Sequence, residues 1–316
     1  MGRARLRWAL VAAPLAFALT ACGSPEAQTA QTPSQESSPA SASASASASA
    51  SASSEVEVEV EVSEPVNGSE LPGHVHQLAF DGSTLILGTH AGLWSQSPGQ
   101  APAQVSKSSF DVMGFTATDA RWLASGHPGE GEDRPADLGL LQSTDRGVTW
   151  EEVSLSGEAD FHRLTASGDR IFGVSSVDDA LLRSDDSGVT WTNLGSRGLF
   201  DIAIDPANPD TLIATTADGL VRSTDAGVTF SPLDTPSLIA LLAWTPNFLI
   251  GADVDGKILT STNGGSAWQA LTTLPEQPAA LGADGSRIAV LAGATVFESI
   301  DGGKSFTERI TEISGH

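Results

Sequence analysis

The histidines are the residues of this chain whose type and spacing could do chemistry. Five of the six lie between residues 74 and 162, and the sixth is the last residue of the 316. Imidazole nitrogens bind zinc and copper well, and three of them with one carboxylate can coordinate a metal ion. We therefore hypothesise a single site that holds one transition metal, zinc or copper, with these metal ligands: His76, His90, His127 and His162.

Two other interpretations fit the same residues. The imidazoles could hydrogen-bond within turns and at strand ends. Alternatively, they could donate hydrogen bonds to an organic ligand in a pocket. The residue types alone leave the three interpretations open. The residues that we assign to ligand binding are His74, His76, His90, His127, Asp160 and His162.

An eight-residue segment occurs five times, and we call its copies the repeated turns: Ser143–Trp150, Ser184–Trp191, Ser223–Phe230, Ser261–Trp268 and Ser299–Phe306. The Asp or Asn at the third position recurs at intervals of 41, 39, 38 and 38 residues, which indicates repeats of one supersecondary unit. Asp two residues before Gly favours a tight turn, because the carboxylate accepts backbone N–H bonds and Gly tolerates positive φ. One acid per turn does not supply the six or more oxygens that calcium needs.

These turns are therefore expected to be structural, and the residues expected to carry that role are Asp145, Gly147, Trp150, Asp186, Gly188, Trp191, Asp225, Gly227, Phe230, Asn263, Gly265, Trp268, Asp301, Gly303 and Phe306. Their pattern, Ser/Thr-x-Asp-x-Gly-x-Thr-Trp/Phe, resembles the Asp-box, or bacterial neuraminidase repeat. The resemblance implies an all-β fold, a β-propeller whose boxes join the third and fourth strands of each blade. Aligning the repeats by hand predicts a six-bladed propeller over residues 71–316. Asn263 and Ala267 depart from the pattern and weaken one turn.

The same alignment relates the histidines to one another. His76 and His162 align on the innermost strands of blades 1 and 3, with Asp111 aligned to them in blade 2. His90 and His127 align at the ends of two second strands. One half of the channel mouth is thus predicted to be rich in imidazole and carboxylate, and the other half to be apolar, with inner-strand residues Phe200, Ile239 and Ala279.

The N-terminus predicts secretion. Three arginines precede an apolar run, Trp8–Leu19, which is too short for a typical membrane-spanning helix. The segment Leu19–Cys22 resembles the lipobox of bacterial lipoproteins, which implies cleavage before Cys22, lipidation of that cysteine and anchoring to the outside of the cell membrane. We expect a signal peptide over 1–21, a lipidated, low-complexity disordered linker over 22–70 and the propeller over 71–316.

The charge excludes one class of partner. Loss of residues 1–21 removes three arginines and no acid, which leaves 13 basic residues against 39 acidic ones and a net charge of −26 with histidine neutral. Such a chain repels nucleic acids.

Hydrolysis of glycosides is the alternative function that the repeats raise. Sialidases resemble one another in using a Tyr nucleophile and an Arg triad, whereas this chain contains no Tyr, so sialidase activity is not expected. A glycosidase with two carboxylates could use Glu158 and Asp160. In so acidic a chain, however, most acids are expected to belong to a solvated surface.

The repeat region also resembles a family of secreted bacterial proteins labelled glycosyl hydrolases, through His74–Leu78, Ser125–Pro128 and Gly157–His162. A looser resemblance to propellers that assist photosystem assembly and to sortilin-type receptors implies protein or peptide binding. We therefore expect a protein, peptide or glycan ligand to bind at the histidine-rich channel mouth, with a glycoside hydrolase as the alternative.

Overall fold

The computed structural model describes residues 63–106 and 108–315. Cys22, the predicted signal peptide and most of the predicted linker lie outside these residues. Within this range the regular secondary structure consists of 25 β-strands. No helix in the described range is long and apolar enough to cross a membrane.

Each of the six sheets contains four consecutive antiparallel strands, as the repeats predict. The first three blades consist of β2 (Val75–Asp81), β3 (Thr84–Thr89), β4 (Gly92–Gln96) and β5 (Ala103–Gln104); β6 (Asp111–Ala117), β7 (Trp122–His127), β8 (Leu140–Ser143) and β9 (Glu151–Ser154); and β10 (Phe161–Ser167), β11 (Arg170–Ser175), β12 (Ala180–Ser184) and β13 (Thr192–Ser196).

Blades 4 to 6 repeat this order, and one further strand, β1 (Val66–Asn67), joins the last blade. Their strands are β14 (Asp201–Ile204), β15 (Leu212–Thr216), β16 (Gly219–Ser223) and β17 (Ser231–Leu233); β18 (Ile239–Trp244), β19 (Leu249–Asp253), β20 (Lys257–Ser261) and β21 (Gln269–Thr273); and β22 (Pro278–Asp284), β23 (Arg287–Ala292), β24 (Thr295–Ser299) and β25 (Thr307–Thr311). The all-β, six-bladed propeller predicted from the sequence is confirmed.

The hydrophobic core lies between the blades. The buried apolar residues of the described range form six clusters, one at each junction between neighbouring blades, including the junction of blade 6 with blade 1. Successive residues of a strand point to opposite faces of its sheet. Leu85 and Leu87 of β3 therefore pack towards blade 6, and Ile86 between them packs towards blade 2. Burial on both faces explains why the second strands are short apolar runs.

The repeated turns connect the third and fourth strands of blades 2 to 6, as the sequence predicts. In the turn of blade 4, Asp225 Oδ1 accepts the backbone N–H of Thr229 at 2.9 Å and its Oδ2 accepts the hydroxyl of Thr229 at 2.6 Å. The buried Ser223 Oγ accepts the backbone N–H of Gly227 at 2.8 Å. Gly227 has φ of +81°, which favours glycine. Serine, rather than the acid, therefore satisfies the buried backbone donor.

The divergent turn of blade 5 keeps this geometry with one bond fewer. Asn263 Oδ1 still accepts the N–H of Ala267 at 2.9 Å, and Ser261 Oγ still accepts that of Gly265 at 2.9 Å. Ala267 has no hydroxyl to donate, so the weakening expected from the sequence amounts to this one side-chain bond.

The ring closes between the last blade and the first. Strand β1 pairs in parallel with β25 at the outer edge of blade 6, so the first strand of the described range begins at Val66, inside the segment that the sequence assigns to the linker. A two-residue strand has too little pattern to be recognised from sequence. Across the closing junction, the buried guanidinium of Arg309 donates to Gln96 Oε1 at 2.6 Å, to the Gln96 carbonyl at 2.7 Å and to the Ser83 carbonyl at 2.9 Å.

Ser223→Ala should destabilise the propeller by about 1–3 kcal/mol, because it leaves the buried N–H of Gly227 without an acceptor. The measurement is the free energy of unfolding from urea titration. Ser231→Ala, at an exposed position of the next strand, is the matched control and should change it by less than about 0.5 kcal/mol. Equal effects of the two changes would contradict the role assigned to the buried hydroxyl.

Arg309→Met should destabilise the propeller by about 3 kcal/mol, since the change removes one partner of a buried ion pair and leaves two carbonyls of blade 1 without their donor. Glu298, its ionic partner at 2.7 Å, keeps Arg287 at 2.8 Å, which limits the loss. The same urea titration measures the effect, and Lys304→Met, at an exposed residue, is the control. An Arg309→Met protein as stable as the parent would show that closure does not depend on this guanidinium.

Candidate histidine face

The five histidines of the described range lie at one end of the propeller, which we call the histidine face. It is formed by the connections that precede the first strand of each blade and those that follow the second strand, because these two strands are antiparallel. The repeated turns lie at the opposite end. The amide of Gln77 donates to the carbonyls of Met113 at 3.1 Å and His162 at 3.2 Å, which fixes the beginnings of β2, β6 and β10 side by side.

The histidines form two groups, whereas the sequence predicts one site. The blade 1–2 trio consists of His76, His90 and Asp111. His76 Nε2 lies 3.4 Å from His90 Nδ1 and 3.4 Å from Asp111 Oδ1, and His90 Nδ1 lies 2.8 Å from Asp111 Oδ2. His74 lies beside this trio, with its ring centroid 5.7 Å from that of His90.

The blade 2–3 trio consists of His127, Asp160 and His162. His162 Nε2 lies 2.6 Å from Asp160 Oδ2, and His127 Nε2 lies 3.6 Å from the same oxygen. Ser176 donates to that oxygen at 2.5 Å. Asp160 is 2% exposed, and its other oxygen, Oδ1, has no hydrogen-bond partner. The two trios together contain every predicted metal ligand and add two carboxylates, Asp111 and Asp160, of which Asp160 was assigned to ligand binding from the sequence.

β-Bulges aim two of these histidines. His76 and His162 are each the extra residue of a bulge at the start of the innermost strand, and bulges are known to redirect side chains next to functional sites. The bulge of β6 is at Met113. Met113, and not Asp111, is therefore the equivalent of His76 in blade 2, which corrects the alignment made from sequence. Asp111 lies two residues before the bulge at Met113, as Asp160 lies two residues before the bulge at His162.

The two carboxyl groups are held as carboxylates. Burial raises the pKa of Asp111, but hydrogen bonds and charge interactions with His76 and His90 lower it more, so the pKa lies below its usual value. Burial likewise raises the pKa of Asp160, and His162, Ser176 and His127 bring it below the usual value. Each trio thus combines one anionic oxygen donor with two imidazoles, a set that suits zinc and related metals.

A central channel of about 370 Å³ runs along the innermost strands of all six blades, from His76 to the connections between the first and second strands at the opposite end. Among the histidines of the described range, only His76 lines it. Arg163 and Asp201 form an ion pair at the end of the channel nearest the histidine face, with 3.3 Å between Nε and Oδ1. Asp201 also accepts the backbone N–H of Leu242 at 2.8 Å and so joins blade 4 to blade 5. Burial raises the pKa of Asp201 despite the charge of Arg163.

The other half of the histidine face carries exposed apolar side chains, of which Phe200 was expected from the sequence. Four exposed side chains follow one another around blades 3, 4 and 5, and we call them the apolar arc: Val177 (57% exposed), Phe200 (59%), Leu238 (43%) and Val254 (36%). Backbone bonds from Val254 to the Leu238 carbonyl and from Phe200 to the Thr215 carbonyl hold their loops together. Of the predicted inner positions, Ile239 is buried and Ala279 is exposed.

Exposed acids lie in the connections of the same half of the face. Asp178, Asp179 and Asp255 share connections with arc residues, and Asp218 and Glu276 lie in other connections of blades 4 and 5. The histidine face therefore combines apolar side chains with a strongly negative rim.

The two weak catalytic candidates occupy different environments. Asp160 is buried and engaged by His162 and Ser176, whereas Glu158 is exposed and takes part in a turn through its backbone bond to the Leu155 carbonyl at 2.9 Å. The structure brings no further carboxylate into the blade 2–3 trio.

Sequence reasoning aligned Asp111 with the wrong residues and missed two further contributors. Asp111 could have been matched to Asp160, since each lies two residues before a bulge. Ser176 and the carbonyl of Ala136, which lies 3.0 Å from His127 Nδ1, gave no signal. Ala136 belongs to an acidic segment over 128–137 that connects β7 to β8. The fold of this connection, which the sequence does not predict, brings its carbonyl to His127.

Comparisons with known proteins identify the fold. No protein-family model and no curated protein matches the chain. Among solved structures, YCF48 bound to D1 peptide is 18% identical, with 80% of this chain and 85% of that chain covered and a TM-score of 0.50. A GH74 xyloglucanase from Xanthomonas campestris is 16% identical (78% and 46% covered, TM-score 0.52), so this chain spans less than half of that enzyme's length. The nidogen/laminin complex is 13% identical (72% and 94% covered, TM-score 0.57). At these identities the similarity establishes a shared β-propeller fold.

Proposed function

We propose that this chain is a lipid-anchored, extracytoplasmic binding protein whose histidine face holds a peptide or protein segment rich in apolar and basic side chains. The observation that carries the proposal is the apolar arc with its acidic rim. Adjacent exposed apolar side chains with a polar border are typical of protein interaction sites.

The charge of the face selects the partner. Five exposed acids lie in the connections of the same half of the face as the arc, and the chain as a whole has a net charge of −23. A partner with Lys or Arg beside its apolar residues would be attracted to this surface, and an acidic partner would be repelled. The four side chains of the arc are exposed and line no described pocket, which suits an extended segment better than a small molecule, because a small molecule usually needs a concave pocket.

The solved structures support a binding role in general terms. Two propellers with the same fold are seen with a peptide or a protein partner, namely YCF48 with D1 peptide and the nidogen/laminin complex. The xyloglucanase shows that a related fold also serves hydrolysis. For this chain, the engagement of Asp160 by two hydrogen-bonding neighbours and the exposed position of Glu158 favour binding over catalysis.

Phe200→Asp/Leu238→Asp should weaken peptide binding at least tenfold, because it places two more anions on the arc and removes its largest apolar groups. The measurement is fluorescence polarisation of a peptide set in which apolar residues alternate with Lys or with Glu, with the full chain in detergent. Basic peptides should bind and acidic ones should not, and added salt should weaken binding.

The matched control is Val148→Asp/Val228→Asp, since both valines are exposed in repeated turns at the opposite end. It should bind like the parent. Equal binding of basic and acidic peptides, or equal loss in both double variants, would contradict the proposal. Release of reducing sugar from a polysaccharide panel, abolished by Asp160→Asn, would favour the hydrolase instead.

Cys22→Ser should release the protein from the membrane, because a chain without the lipidated thiol loses the acyl chains that hold it there. Western blotting of membrane and soluble fractions measures this, and the parent should be found in the membrane fraction and be extracted by detergent. Ser24→Ala, two residues away, is the control and should stay with the membrane. A soluble parent, or a Cys22→Ser protein that remains membrane-bound, would contradict anchoring through this residue.

A further inference from the structure

We propose that the histidine face holds two divalent transition-metal ions, one in each trio, with zinc as the best match. The trios lie on blades 1 to 3, away from the centre of the apolar arc on blades 3 to 5, so this inference stands apart from the proposed peptide binding. Each site would offer two imidazole nitrogens and one carboxylate and leave a coordination position open.

The strongest evidence is the orientation of His127. Its Nδ1 lies 3.0 Å from the carbonyl of Ala136, and a carbonyl can only accept, so the ring proton belongs on Nδ1. Nε2 then carries a lone pair that faces Asp160 Oδ2 at 3.6 Å, too far for a hydrogen bond. The lone pair and the anionic oxygen repel each other, and a metal ion between them would turn this repulsion into two coordination bonds. Metal-binding histidines commonly donate their second N–H to a carbonyl in this way.

The second observation is the state of Asp160. This carboxylate is 2% exposed and its Oδ1 has no hydrogen-bond partner, a costly arrangement for a buried anionic oxygen. Its bond to His162 Nε2 at 2.6 Å requires a proton there. When a metal binds, the ring takes the tautomer with its proton on Nδ1, by exchange through water, so that the neutral imidazole presents the Nε2 lone pair to the ion.

Two distances in the blade 1–2 trio match the ligand spacing of a tetrahedral site, and the third is that of a hydrogen bond. Ligands about 2.0–2.2 Å from zinc stand roughly 3.3–3.6 Å apart at the corners of a tetrahedron. His76 Nε2 lies 3.4 Å from both His90 Nδ1 and Asp111 Oδ1, while Asp111 Oδ2 lies 2.8 Å from His90 Nδ1. Asp111 Oδ1 is buried without a hydrogen-bond partner, so the same vacant acceptor is found in both trios.

Both trios span a blade junction and follow one plan. An acid two residues before the bulge of one blade meets a histidine at the end of the second strand of the preceding blade: Asp111 with His90, and Asp160 with His127. The bulge histidine then completes each trio, but from the first blade in one case (His76) and from the second in the other (His162). Two sites built on one plan are expected to bind ions of the same class.

The experiment is isothermal titration of zinc, and separately copper, into the untagged full chain purified in detergent without chelator and then stripped of metal. The parent should bind two ions. His76→Ala/His90→Ala and His127→Ala/His162→Ala should each bind one, and the fourfold variant none. Ser231→Ala, at an exposed position of β17 outside both trios, is the control and should still bind two.

A spectroscopic measurement on the parent protein tests the proposal even if the variants misfold. Cobalt(II) added to the parent should give the intense visible absorption of a four-coordinate site, and two equivalents of zinc should remove it. A parent that binds one zinc or copper ion or none, or double variants that still bind two, would overturn the proposal. Peptide binding that persists in metal-free protein would leave the proposed function standing, whereas two bound ions without peptide binding would leave only the metal sites.

Discussion

The whole structure depends on the closure of a ring. No blade has an independent core, because the apolar faces of each sheet are covered by the sheets on either side, and six clusters at six junctions bury them. Closure needs the last blade to meet the first, and there the buried Arg309 ties blade 6 to carbonyls of blade 1. Loss of any junction leaves two apolar faces open to water.

The same dependence shapes the histidine face. Each trio takes side chains from two blades, so its geometry exists only while the junction between them is packed. The repeated turns at the other end hold the outer hairpins of blades 2 to 6 through a buried serine hydroxyl. The carboxylates and imidazoles of the trios, whose burial without partners would cost free energy, are thus brought together by apolar packing between the blades.

Much of this arrangement could be predicted from the sequence, since the repeated turns recur in register and reveal six blades. The histidines of blades 1 and 3 could be aligned because each lies close to the start of an apolar strand. Their division into two trios could not be predicted, because it depends on β-bulges. A bulge adds one residue to a strand, and no residue type in the sequence marks where it occurs. Asp111 was misplaced for this reason. The carbonyl of Ala136 was missed because every residue carries a backbone carbonyl, so the sequence does not indicate which one accepts a hydrogen bond from a histidine.

The end of the chain has a practical consequence for anyone who purifies it. A side chain built on Gly315 would have its first carbon 3.6 Å from the Cα of Gly73, next to His74 and hence to the blade 1–2 trio. A polyhistidine tag fused to the C-terminus would therefore begin beside these imidazoles. Such a tag could compete for the same ions or bridge two molecules into a false dimer, whereas removal of a cleavable tag would leave the neighbourhood of the trio unchanged.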